Sequence, residues 1–103
     1  MNHYDQIELL KQQIIQKYDP EQIYLFGSCA KGTVRLNSDI DLCIVKDTPE
    51  IREFKREMMV DLCAEIPLDL IVYSPESWAR HSVDPGSFAY LIKSKGVQLY
   101  GRQ

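Results

Sequence analysis

Hydrophobic positions along this chain follow two rhythms, one helical and one strand-like. Between Tyr4 and Tyr18, Ile7, Leu10, Ile14 and Tyr18 fall at helical intervals. Leu9 and Ile15 widen that stripe, and Gln, Lys and Glu fill the outside, which predicts a surface helix packed on a sheet. Asp19-Pro20 ends it, because the residue before proline disfavours helical geometry. Gln22 to Phe26 and Asp39 to Val45 are short apolar runs that predict strands. A helical segment follows over roughly Pro49 to Glu65, opened by Asp47-Thr48-Pro49-Glu50, with Ile51, Phe54, Met58, Leu62 and then Ile66 at helical spacing. Pro67 to Tyr73 is another apolar strand, and Ser74-Pro75-Glu76 starts a short helix through Trp78 and Arg80. After the loop Ser82 to Gly86, Ser87 to Lys95 is helical, Gly96 stops it, and Val97 to Tyr100 adds an edge strand.

The order of these elements constrains the sheet. The helix between the second and third strands is long enough for a crossover between parallel neighbours. Two such strands begin at the same edge, which places Asp69 beside Asp39 and Asp41. The first strand must deliver Gly27-Ser28 to that edge with its end, so it runs antiparallel to the other two and the sheet is mixed.

The acids at that edge carry the first chemical signal. Side chains alternate along a strand, so Asp39 and Asp41 project to one face with α-carbons about 7 Å apart, close enough to converge on one hard cation. A plainer account makes Asp39 a turn cap and Asp41 a solvated edge residue. Asp41 stands between Ile40 and Leu42 and before Cys43-Ile44-Val45, where an unpaired carboxylate is costly to bury, and this favours metal binding. The second signal is Gly27-Ser28-Cys29-Ala30-Lys31-Gly32, a glycine-bracketed turn after an apolar run. Gly27 suits a backbone shape or close approach that a side chain would obstruct, and Ser28 opens a short helix whose free amides point toward an anion. Gly27 and Gly32 have the spacing of a P-loop, but that motif needs Lys after its second glycine, and Thr33 stands there while Lys31 precedes. Arg35 is placed to reach phosphates or an acceptor, and a solvated loop arginine explains it equally well.

Composition narrows the class. The 103 residues leave room for one domain, 1–103, and 45% hydrophobic with 26% charged residues is ordinary for a globular chain. A net charge of −3 argues against broad electrostatic capture of nucleic acid, although Lys93, Lys95 and Arg102 could form a local basic patch. No apolar stretch reaches the roughly 20 residues of a membrane span, and no signal sequence opens the chain, so the expectation is a cytoplasmic protein. Cys29, Cys43 and Cys63 are odd in number and widely spaced, as reduced thiols are. Cys29 in the phosphate turn suggests either a low-pKa thiol or simply a small residue that fits. His3 and His81 are isolated from the acids in sequence and read as surface histidines.

Gly27-Ser28 with Lys31-Gly32, then Ser38-Asp39-Ile40-Asp41-Leu42, then a lone Asp69 in the next strand, resembles the nucleotidyltransferase superfamily related to DNA polymerase beta. The chain is most similar to its minimal nucleotidyltransferase branch, down to the closing Gly96-Val97-Gln98-Leu99-Tyr100. The resemblance implies an α+β nucleotidyltransferase fold, a small mixed sheet with helices packed on it. It implies transfer of an NMP, AMP first among them, from an NTP to an acceptor hydroxyl with two Mg²⁺ ions, Asp39 and Asp41 bridging both and Asp69 completing the acceptor side. Gly27 and Ser28 would hold the β and γ phosphates, with Lys31 where relatives often carry Arg, and Ser38 would complete the nucleotide-binding signature. Minimal members often accompany a helical HEPN-type partner in toxin–antitoxin pairs and adenylylate a partner tyrosine. Self-association, transfer to a small molecule or RNA, and a non-catalytic antitoxin that neutralises by binding remain open alternatives.

Overall fold

The computed structural model describes residues 2–62 and 64–102. Among the described residues nine elements follow in order: α1 (His3–Tyr18), β1 (Gln22–Phe26), α2 (Ser28–Lys31), β2 (Ile40–Val45), α3 (Ile51–Asp61), β3 (Leu68–Tyr73), α4 (Pro75–His81), α5 (Phe88–Lys95) and β4 (Val97–Gly101). The strands form one sheet in the order β3-β2-β1-β4. β2 and β3 are parallel, joined by the α3 crossover, while β1 runs antiparallel to both β2 and β4. This is the mixed α+β sheet that the element order implied, with β4 at an edge.

Helices cover both faces, which is why β2 is apolar on alternate and intervening positions alike. On one face Ile7, Leu10 and Ile14 of α1 and Phe54 and Met58 of α3 pack with Ile23, Leu25, Ile40, Leu42, Ile44 and Leu70. On the other, Trp78 of α4 and Ala89 and Ile92 of α5 pack with Tyr24, Cys43 and Val45. Asp41 shares this second face with Cys43 and Val45 by strand alternation. At the far end of α1, the Tyr18 hydroxyl donates to Asp61 over 2.8 Å and Lys17 pairs with the same carboxylate at 3.0 Å, tying α1 to α3. Burial and then the Asp61 hydrogen bond push the Tyr18 phenol up to about 12.

Several boundaries differ from the sequence reading. The crossover helix spans Ile51–Asp61 rather than reaching Glu65, and Ile66 lies outside it. Leu62 turns extended as its amide bonds to Met58 O, and Pro67 disfavours helix at the preceding residue. Cys63 lies outside the described residues. The helical pattern puts Gln on the outside of α1, yet Gln6 is buried and its Oε1 accepts the Glu65 amide over 2.7 Å. A buried acceptor that meets a backbone donor is satisfied, so the core tolerates it. Among the described residues no helix is long and apolar enough to cross a membrane.

Gln6 therefore pins the segment leading into β3. Gln6→Ala is expected to lower the unfolding free energy by about 1–2 kcal/mol, because the Glu65 amide loses its acceptor. Exposed Gln12→Ala should stay within about 0.5 kcal/mol of wild type. Chemical denaturation of the two variants checks the difference.

Candidate active site

The site is assembled where β1 ends and β2 and β3 begin. Phe26 pairs with Asp41, so the chain leaves β1 directly beside that carboxylate. Gly27 then takes φ +75°, and a Cβ at this position would collide with Asp41 Oδ2. Both facts demand glycine: L residues rarely adopt that backbone, and the carboxylate occupies the space a side chain would need. α2 follows at once. The amides of Ala30 and Lys31 bond to Gly27 O at 3.2 Å each, which leaves the leading amides of Ser28 and Cys29 ahead of the first helical bond. Gly32 closes the turn in the left-handed region with φ 77°.

The loop into β2 is held from several sides. Ser38 Oγ accepts the Arg35 amide at 2.8 Å, and the Ser38 amide bonds back to Arg35 O at 3.0 Å. His3 Nε2 lies 2.8 Å from Ser38 O, and the Tyr4 hydroxyl donates to Cys29 O over 3.1 Å. The start of α1 thus braces both the α2 turn and the residue before Asp39, and His3 is a half-buried bracing residue rather than a free surface histidine. Pairing of β2 with β3 places Asp41 level with Asp69, in adjacent parallel strands. Asp39 lies two residues earlier on the same edge, just before β2 begins.

Charge at this edge is concentrated. Asp41 is half-buried, and its carboxyl is raised above the usual range first by burial, then by Asp69 and by Asp39. Among the described residues no three His, Cys, Asp or Glu side chains close into a ready-made metal cage. The donor set nevertheless fits Mg²⁺, which takes hard oxygen ligands, keeps several waters, and is held by one or two carboxylates plus substrate phosphates rather than by an all-protein cage. Cys29 is not an activated thiol. It is 3% exposed, its Sγ lies 3.7 Å from Asp39 O, and burial followed by the Asp41 charge pushes its pKa up, only partly offset by a hydrogen bond with Ser28.

A cavity of about 570 Å³ opens beside these groups. Gly27, Lys31 and Asp41 bound it on the turn side, and α5 bounds it through Phe88, Leu91 and Lys95. Another concavity of about 420 Å³, by Gln22, Gln98 and Arg102, lies at the opposite end of β1 and touches none of the acids. The structure brings Gly27, Lys31 and Asp41 to one wall, keeps Asp39 and Asp69 exposed at the sheet edge, and engages Ser38 in its turn. The sequence reading missed the contribution of α5. Its signal was the spacing of Phe88, Leu91 and Lys95, which share one helical face. For His3 and Tyr4 no local pattern exists, since their partners lie 35 and 25 residues away.

The model of the family described as Polymerase beta, Nucleotidyltransferase matches residues 8–103. No curated protein sequence matches significantly. Solved structures do. A protein of Sulfolobus solfataricus named as a candidate nucleotidyltransferase is 26% identical, with a TM-score of 0.58 over 94% of this chain and 84% of that one. A toxin–antitoxin structure with AMP-PNP is similar at 27% identity and TM-score 0.56, covering 99% of this chain and 76% of that one. A mutant of the toxin–antitoxin pair MntA–HpeT, with two Asp-to-Glu changes separated by one residue, is 26% identical with a TM-score of 0.53, over 100% of this chain and 76% of that one. The family match takes in every element apart from the start of α1, and the chain therefore belongs to the polymerase beta nucleotidyltransferase family.

Proposed function

We propose that the protein transfers AMP from ATP to a hydroxyl on a partner protein, as the antitoxin of a toxin–antitoxin pair whose toxin is of the HEPN type. The observation that carries the reading is the placement of Asp41 between Asp69 and the Gly27 turn. It sets a carboxylate pair against a turn whose leading amides, ahead of the first helical bonds from Ala30 and Lys31, suit an anion. Similarity to toxin–antitoxin structures, one of them holding AMP-PNP, supports the nucleotide and the partner.

The α2 turn holds the β and γ phosphates through its leading amides and the Ser28 hydroxyl, and Lys31 adds positive charge beside them. Asp39 and Asp41 would hold Mg²⁺, and Asp69 faces the acceptor. Bound Mg²⁺ would neutralise phosphate charge and lower the pKa of the attacking hydroxyl. The acceptor oxygen attacks the α phosphorus, a new O–P bond forms, the bond to the β-phosphate oxygen breaks, and pyrophosphate departs. Asp69 orients the acceptor hydroxyl and receives its proton, the general-base role available to an exposed carboxylate at hydrogen-bond reach.

Three expected outcomes test this. In an extract of the host, Mg²⁺ and α-labelled ATP should label a nuclease-resistant protein band, and Asp39→Asn with Asp41→Asn should abolish it. Label on RNA or a small molecule would redirect the acceptor, and no label on any of them with any nucleotide would leave a binding-only antitoxin. Asp69→Asn should lower the transfer rate about 10²- to 10⁴-fold, measured at saturating Mg-ATP.

The third outcome concerns stability. Because the folded-state pKa of Asp41 is raised, the folded metal-free protein binds this proton more tightly than the unfolded chain. The contribution of the protonated form is complete below the unfolded pKa and is lost as pH rises through the folded value. At neutral pH, Asp41→Asn should therefore raise the melting temperature of the metal-free protein by a few degrees, and Mg²⁺ should stabilise wild type but not the variant. A melting temperature insensitive to both Mg²⁺ and Mg-ATP would refute the site.

A further inference from the structure

Two half-exposed apolar side chains stand beside the charged edge without serving either core: Phe88 is 47% and Leu91 50% exposed. They lie on one face of α5 with Ile92 and Lys95, at the first, fourth, fifth and eighth positions of the helix. That face forms one wall of the 570 Å³ cavity whose opposite wall is Gly27, Lys31 and Asp41. The cavity is therefore polarised. Its cationic part carries Lys31 and Lys95, and its apolar part carries Phe26, Phe88 and Leu91. Two features set this geometry. Phe26 and Phe88 meet edge to face with centroids 5.6 Å apart, which orients the Phe88 ring while leaving about half of it open. Gly96 lets the end of α5 press onto β1, since a Cβ there would strike Leu25 O and Ile92 O.

We infer that this cavity is where the donor nucleotide lies: base and ribose against Phe88 and Leu91, polyphosphate between Lys31 and Lys95. The assignment rests on the nucleotidyl-transfer reading and adds to it a base platform and a second phosphate cation, both from α5. The cavity volume is that of an ordinary small-ligand site. An aromatic ring supplies a sequence-tolerant stacking surface for a base, and a lysine supplies a point charge for phosphate. Lys95 also sits at the end of α5, where a cation offsets the helix dipole, but Lys93 occupies the same last turn and lines a separate concavity with Ser82 and Tyr90. Lys93 is thus the internal control for a purely structural role.

The test is equilibrium binding of ATP and of inorganic tripolyphosphate, each with Mg²⁺ at fixed ionic strength. Phe88→Ala should weaken ATP about tenfold and leave tripolyphosphate within about twofold. Phe88→Leu, which keeps the helix face apolar but removes the ring, should show the same split and guards against a folding defect. Lys95→Gln should weaken both ligands by a similar factor of about three to ten, while Lys93→Gln changes neither. The inference is overturned if the Phe88 variants bind ATP like wild type or lose both ligands equally, or if Lys95→Gln behaves like Lys93→Gln. Failure of wild type to bind either ligand would instead overturn the nucleotide reading itself, and the subsite with it.

Discussion

The burial of one carboxylate, Asp41, with two further acids beside it at the same sheet edge is the constraint around which this small protein is built. Asp41 is the centre of it, half-buried between Asp69 on the neighbouring strand and the backbone of Gly27. A carboxylate so placed is costly in its charged form, and the surrounding fold has to hold it there. The parallel pairing of β2 with β3 does so from one side, through main-chain bonds that begin at Ile40 N to Pro67 O. The antiparallel pairing of β1 does so from the other, by bringing Phe26 level with Asp41.

Around that edge, the helices divide their work. α1 and α3 build the larger core on one face, and α1 also reaches forward with His3 and Tyr4 to brace the Ser38 and Cys29 carbonyls. The same helix uses buried Gln6 to fix the segment that leads to Asp69. α4 and α5 close the other face with a smaller cluster around Trp78, and α5 extends past it to wall the cavity. A short chain thereby gives a single helix two tasks, one face in the core and one toward the cavity.

Much of this was legible in the residues. The strand and helix rhythms and the crossover between β2 and β3 followed from apolar spacing and connection length, and the antiparallel β1 from the need to bring Gly27-Ser28 to the edge that carries the acids. Gly27 was legible as a close approach, although its partner was not: only the fold shows that the obstacle is the Asp41 carboxylate. The end of α3 was not legible, because Leu62 and Ile66 continue an apolar spacing past the point where the backbone turns extended. Cys29 in a glycine-bracketed turn invites a reactive thiol, and burial against the core rules it out.

By itself, then, the sequence determined what is local: the periods of the elements, the turn that only glycine permits, the acids at strand mouths, and through their ordered set the family. The tertiary structure alone decided what depends on distant segments meeting. Gln6 is polar by composition and buried by position, His3 is isolated in sequence and 2.8 Å from Ser38 O, and Phe88 and Lys95 meet the Gly27 turn across one cavity only because α5 is laid across β1. The physical reason is the same in each case. Hydrophobic periodicity reports which face of an element is covered, whereas charge, cavity walls and hydrogen-bond partners depend on what covers it, and that is set by chain segments tens of residues away.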